Sequence, residues 1–174
     1  TTLPGNFAFA APTAVGTATA RNVAATNLLT RIRRLGYVSA ATAGSIAGHY
    51  HAIAQFTIGN GAGLGGFLYI VRFGVSDAAA VSGARMFVGL RNATSAPTNV
   101  EPSTLTNAAG VAQLSTSANL QVVYGGSAAQ AAIDLGANFP ANSLSADAYE
   151  LALYAPSNSQ VIGYRVERIN TGHV

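Results

Sequence analysis

The chain has 174 residues, of which 49% are hydrophobic and only 9% charged, against an ordinary charged share of about 25%. All nine basic residues are arginine, the formal net charge is +3 and cysteine is absent, which excludes disulfides and thiolate metal sites and leaves no dense basic tract of the kind that grips nucleic acid. So few charges do not cover a monomer of this size; the surface is built from Ala, Ser, Thr, Asn and Gly, is buried against other chains, or both.

Residues 1–27 are rich in Ala, Thr, Pro and Gly and read as an extended linker or attachment segment, with FAFAAPT (7–13) as one short strand. The N-terminus lacks Met and a basic region, so it reads as the start of a fragment and not as a signal peptide. TNLLTRIRRLGYVSA follows. Leu28, Ile32 and Leu35 have helical spacing, with Asn27 as N-cap and Gly36 just past the end, but the alternation Arg31, Ile32, Arg33 suits a strand equally well. Residues 28–174 read as one domain.

From residue 49 onward strand signals dominate. HYHAIAQFTI (49–58) alternates, with Tyr50, Ala52, Ala54, Phe56 and Ile58 on one face and His49, His51, Ile53, Gln55 and Thr57 on the other. GAGLGG (61–66) satisfies G-x-G-x-x-G, but the dinucleotide fingerprint must open a helix, and here FLYIVRFGV follows, an aromatic and β-branched strand. The glycines are therefore expected to serve a loop between two strands. FLYIVRFGV is apolar on both faces, as in the middle of a sandwich. RMFVGLR, the polar stretch NATSAPTNVEPSTLTNAAG, the strand-like NLQVVY and the turn GGSAAQ come next, and AYELALY and VIGYRVERI close the chain. In the last, Ile162, Tyr164 and Val166 face one way and Arg165 and Glu167 the other. Short strands separated by Gly, Pro and Asn turns predict an all-β fold, a jelly-roll-like sandwich of antiparallel sheets. No apolar run approaches the roughly 18–20 residues of a membrane-spanning helix.

Few residues offer chemistry. The six acids are Asp77, Glu101, Asp134, Asp147, Glu150 and Glu167. A glycosidase needs two carboxylates about 5–10 Å apart. Asp147 and Glu150 are close in sequence but of opposite strand parity, which leaves a pair from distant strands such as Asp134 with Glu150; an acid paired with arginine is the favoured reading. His49 and His51 project to one side of their strand, too few for a metal in one chain, although three chains around an axis would supply six imidazoles. There is no cysteine nucleophile and no G-x-S-x-G elbow, so no catalytic residue, metal or cofactor is expected. RIRR (31–34) is the densest basic cluster and suits either an anionic ligand or an inter-chain strip. A sugar site needs an aromatic platform with planar polar groups at its rim, and the residues best placed near loops are Tyr124, Tyr154, Arg91 and Asn92.

RRLGYVSAATAGS, GLGGFLYIVRFGVSDAAAVSGARMFVGL, SAPTNVEPSTLTNAAGV, VVYGGSAAQAAIDLGANFPAN and YELALYAPSNSQVIGYRVERINTG together resemble a module of tailed-bacteriophage tail fibres and other virion structural proteins. The resemblance covers roughly residues 28–172. It implies a lectin-like β-sandwich, a homotrimer attached to an upstream fibre segment, and a place on the virion near the part that contacts a bacterial surface glycan or protein, with no nucleic-acid partner and no membrane insertion. A purely structural trimerising or decorating domain and a surface polysaccharide depolymerase are the rival expectations.

Overall fold

The computed structural model describes residues 12–59, 61–77, 79 and 81–174. It is nearly all β and wholly antiparallel, as the alternation predicts. The first part is a thin ribbon. β1 (Thr13–Val15) pairs with β4 (Gly48–Tyr50), and between them β2 (Ala18–Arg21) pairs with β3 (Arg34–Tyr37). Two strands therefore lie inside the stretch read as linker; residues 7–11 of FAFAAPT fall outside the described residues, and Thr13 opens β1.

The undecided stretch at 27–36 contains both structures. A single 3-10 turn spans Leu29–Arg31, and β3 starts three residues later. The N-cap position of that turn is Leu28 and not Asn27; the Asn27 side-chain oxygen nonetheless accepts from the Thr30 amide at 3.0 Å, while Thr30 Oγ1 accepts from the Asn27 amide at 3.0 Å. Gly36 ends no helix; it sits within β3 opposite Thr19. HYHAIAQFTI is a strand only to Tyr50. Alternation marks a segment able to pair, but no strand among the described residues pairs with 51–58, so the ladder stops and the face assignment lapses beyond Tyr50. The glycine run is consequently no hairpin between two strands. Gly61, Gly63, Gly65 and Gly66 all have positive φ, and the Gly63 amide donates to the Asn158 side chain at 2.9 Å, so the run is a loop tied to a loop, leading directly into a strand.

The chain then alternates between two packed sheets. β5 (Phe67–Phe73) enters the first sheet. β6 (Met86–Arg91), β7 (Ala108–Gln113), β8 (Leu120–Gly125) and β9 (Ile133–Asp134) form the second in sequential order. β10 (Tyr149–Ala155) and β11 (Gly163–Arg168) return to the first, where β10 is central and β5 an edge. β5 lies in the sandwich as its apolar character suggested, but only one face packs on the core: Phe67, Tyr69, Val71 and Phe73 point inward, while Leu68 and Ile70 are exposed. β7 was hidden in the tail of the polar stretch because AAGVAQ has a single β-branched residue. Gly110 there faces Gly89 of β6, and a Cβ on it would meet the Val88 carbonyl at 2.4 Å, so the strands approach too closely for larger side chains.

Between the sheets lies the main core: Val111, Leu120 and Val122 from the second sheet, Tyr149, Leu151, Leu153 and Val166 from the first, and Phe139 and Ala141 from the loop before β10. Ile162 packs on it with Val166, as the parity of the last strand requires, while Tyr164 is half exposed. The outer face of the second sheet is covered by the long polar stretch: Leu105, beside the 3-10 turn Pro102–Thr104, packs with Ala108, Ala112 and Val123. Among the described residues no equivalent cover lies over the outer face of the first sheet, where Leu68, Ile70 and Tyr154 are exposed.

Tyr149 is buried, and its hydroxyl donates to the Pro140 carbonyl at 2.7 Å. Burial first, then the Asp147 charge, pushes its phenol well above the ordinary value; burial alone raises that of Tyr69. A group whose pKa is higher folded than unfolded stabilises fully below the unfolded value and loses that contribution as pH rises through the folded one. Urea midpoints should therefore be flat to a pH of about 10, the free phenol value, and fall above it, and Tyr149→Phe should flatten part of that fall. An alkaline limb identical in the two proteins would contradict the assignment.

Candidate functional site

The outer face of the first sheet is built in rows by the strand register. In one row Arg72 of β5, Glu150 of β10 and Glu167 of β11 stand side by side; in the next, Ile70, Ala152 and Arg165; in the third, Leu68, Tyr154 and Gly163. These alternate with the core residues Leu151, Leu153 and Ala155, so the period-two pattern of YELALYA aims its even positions outward. Leu68, Ile70 and Tyr154 are 63%, 54% and 53% exposed, a contiguous apolar strip at one end of the face.

The other end carries a closed charge network. Two glutamates directly opposite each other repel. Here Arg165 lies between them, Nη2 2.6 Å from Glu167 Oε2 and Nη1 3.9 Å from Glu150 Oε1, and Arg72 Nε donates to Glu150 Oε2 at 2.8 Å. Glu150 and Glu167 are the carboxylate pair that sequence reading missed; they are remote in the chain, and only the β10–β11 register joins them. Both have arginine as their partner, so each carboxylate is engaged as an acceptor within the network. Arg72 and Arg165 are themselves 61% and 51% exposed, so Glu150→Gln should lower stability by under about 1 kcal/mol in urea unfolding. A loss several times larger would mean that the network is shielded by something covering the face.

The pair Asp134 with Glu150 is not formed. Asp134 is paired with Gln121 on the second sheet, on the side away from the main core, while Glu150 is on the outer face of the first; the two point away from each other across the sandwich. Asp134 instead accepts from Asn119 at 3.1 Å and from the Gly136 amide at 2.8 Å, which closes a turn. Asp147 and Glu150 are separated too, although Asp147 lies before β10 and strand parity does not apply to it: Asp147 is buried against Arg168 at 2.9 Å. Glu101 accepts from the Ser115 amide at 2.9 Å and lies 3.8 Å from Arg85.

The four sugar-site candidates do not share one surface. Tyr154 belongs to the outer face of the first sheet. Arg91, Asn92 and Tyr124 gather at one end of the second, where β6 and β8 finish and β7 begins. The row Arg91–Ala108–Gly125 and the row Leu90–Ala109–Tyr124 are adjacent, so Arg91 and Tyr124 project from opposite faces of that sheet. Asn92 lies just past β6, its amide donating to the Asn107 carbonyl at 2.8 Å. A ligand engaging all three would have to wrap the sheet's end. At the opposite end of β7, Ser82, Gln113, Ser115, Ser117 and Asn142 line an open recess of 410 Å³, rich in hydroxyls and amides, that no sequence motif announced.

His49 lies in β4 with its ring 5.4 Å from that of Tyr37, and partial burial, then the neighbouring His51, lowers its pKa. Among the described residues no three His, Asp or Glu side chains converge as a metal site. No helix among them is long and apolar enough to cross a membrane. Comparison with protein-family models, curated proteins and solved structures gives no match.

Proposed function

We propose that this chain is a receptor-binding module of a tailed-bacteriophage tail fibre, a lectin-like sandwich of jelly-roll type that works as a homotrimer on the virion, continues an upstream fibre segment and adheres to a bacterial surface glycan or protein during host attachment. The observation that carries the reading is the uncovered outer face of the first sheet beside a thin two-stranded ribbon. A ribbon of two strands is marginal alone, and an exposed apolar sheet face calls for another molecule to cover it. Both needs are met when copies of the chain associate, and a repeated tip then gains adhesion through avidity, since three weak sites held together raise the effective receptor concentration.

The reading contains no hydrolytic step, which fits the engagement of Glu150 and Glu167 with arginine. The test is adsorption of the labelled chain to a panel of intact bacteria and to their purified surface glycans. Saturable binding to cells, unchanged in Glu150→Gln and without release of reducing ends, is expected. Release of reducing ends that Glu150→Gln abolishes would favour a depolymerase, and a trimer that binds none of the panel would favour a purely structural virion domain.

A further inference from the structure

We infer that the β2–β3 hairpin is a binding site for an anionic polysaccharide, a polymer bearing regularly spaced carboxylate, phosphate or sulfate groups. The inference deepens the adhesive reading above by naming a ligand class and a surface. Its starting point is a register that works against the fold. Arg21 of β2 and Arg34 of β3 are direct cross-strand partners, and like charges placed opposite one another destabilise a strand pair. Arg31 and Arg33 are exposed in the same hairpin. The first acid in the chain is Asp77, and among the described residues none of these four arginines is in an ion pair.

The local structure holds the cations in place instead of dispersing them. Arg34 Nη1 lies 3.3 Å from the Ile32 carbonyl and 3.5 Å from those of Asn22 and Thr30, which fixes its guanidinium at the hairpin end. Arg21 lies across Gly36, where a Cβ would stand 2.7 Å from its Nε. Gly36 and Arg34 share a face of the ribbon with Arg21, so the glycine clears a bed for the Arg21 side chain on the face that also carries Arg34. Planar guanidinium groups match carboxylate, sulfate and phosphate in two-point contacts.

A second copy of the chain supplies too little counter-charge for all four arginines. Of the six acids, Glu101, Asp147, Glu150 and Glu167 are already ion-paired with Arg85, Arg168, Arg72 and Arg165, which leaves Asp77 and Asp134 for four arginines. Nucleic acid is the less favoured polyanion, because single strands are gripped by basic grooves with aromatic stacking platforms, and Tyr37, the aromatic residue of the hairpin strands, has its ring against His49.

The experiment titrates the full chain with dextran sulfate, polygalacturonate, uncharged dextran and a DNA duplex across a salt series. Expected are binding to one or both charged polysaccharides, none to dextran, an affinity that falls linearly on a logarithmic salt scale, and a shallower slope with about a tenfold loss in the Arg21→Gln, Arg34→Gln double variant. That variant relieves repulsion in the hairpin, so its thermal midpoint should be unchanged or higher; Arg31→Gln with Arg33→Gln, outside the strands, gives an independent loss. Arg85→Gln, which removes one positive charge elsewhere, should change affinity less than about twofold. Unchanged binding in both double variants, an equal loss in Arg85→Gln, or tighter binding to DNA than to either polysaccharide would each overturn the site. A chain that binds the polymers but adsorbs to no bacteria refutes the fibre reading and leaves the arginine site standing. Adsorption to cells that is indifferent to the arginine variants does the reverse.

Discussion

Asp147→Ala is expected to lower the unfolding free energy by about 3–5 kcal/mol, the usual loss when one partner of a buried ion pair is removed. Asp147 is 1% exposed and accepts from Arg168 at 2.9 Å, from Asn170 at 2.5 Å and from the Tyr149 hydroxyl at 3.4 Å. Arg168 in turn donates to the Asn138 carbonyl at 3.1 Å, so one carboxylate ties the start of β10, the end of β11 and the loop after β9. Without it, Arg168 keeps a charge in a largely closed site, where its Nε already has no partner among the described residues. Arg168→Ala should be comparably damaging, and the double variant should lose clearly less than the sum, because the two single losses count the same broken pair. Urea unfolding at neutral pH measures all three. Strict additivity, or a loss from Asp147→Ala below about 1 kcal/mol as for a surface pair, would show that the carboxylate is solvated.

The sequence made some of this legible and left other parts out of reach for physical reasons. Period-two alternation in YELALYA and VIGYRVERI identified β10 and β11 and the side each residue faces, because burial on one face and solvent on the other is a local signature. It could not join Glu150 to Glu167, or Asp147 to Arg168, because those contacts depend on strand register between distant segments. FLYIVRF reads as the middle of a sandwich, yet among the described residues only its inner face is covered; two apolar faces do not state what covers each. HYHAIAQFTI shows the converse, full alternation without a partner strand. The basic run RIRR was visible, but its meaning depended on Arg21 standing opposite Arg34, again a matter of register.

The same two-faced strand leads to the assembly. The chain is expected to sediment as a trimer that persists on dilution to micromolar concentration, and Ile70→Asp is expected to dissociate it. Leu68, Ile70 and Tyr154 form the uncovered strip, and its neighbouring charges are already paired with one another, so the face offers little to a charged ligand and much to an apolar one. The ribbon supplies a matching surface: Leu35 is 61% exposed and Val38 64%, and Leu35 projects from the face opposite Arg21 and Arg34. The proposed contact lays the ribbon of one copy, by its Leu35 side, on the outer sheet face of the next, which leaves the arginine side turned outward. Such a contact joins unlike surfaces, so it closes into a ring or runs on as a filament; a thin arm reaching one neighbour closes with three copies in the fibre geometry proposed above. Burying an aliphatic side chain of this size is worth about 1.5–3 kcal/mol, and an aspartate in its place adds the desolvation of a charge, repeated at every interface of the ring. Leu35→Asp should therefore dissociate the trimer as Ile70→Asp does, whereas Arg33→Ala should leave it intact, with each variant's circular dichroism unchanged. Sedimentation of the parent chain as a monomer at micromolar concentration, or trimers that survive both aspartate substitutions, would sink this arrangement and with it the avidity on which adhesion through three weak sites depends.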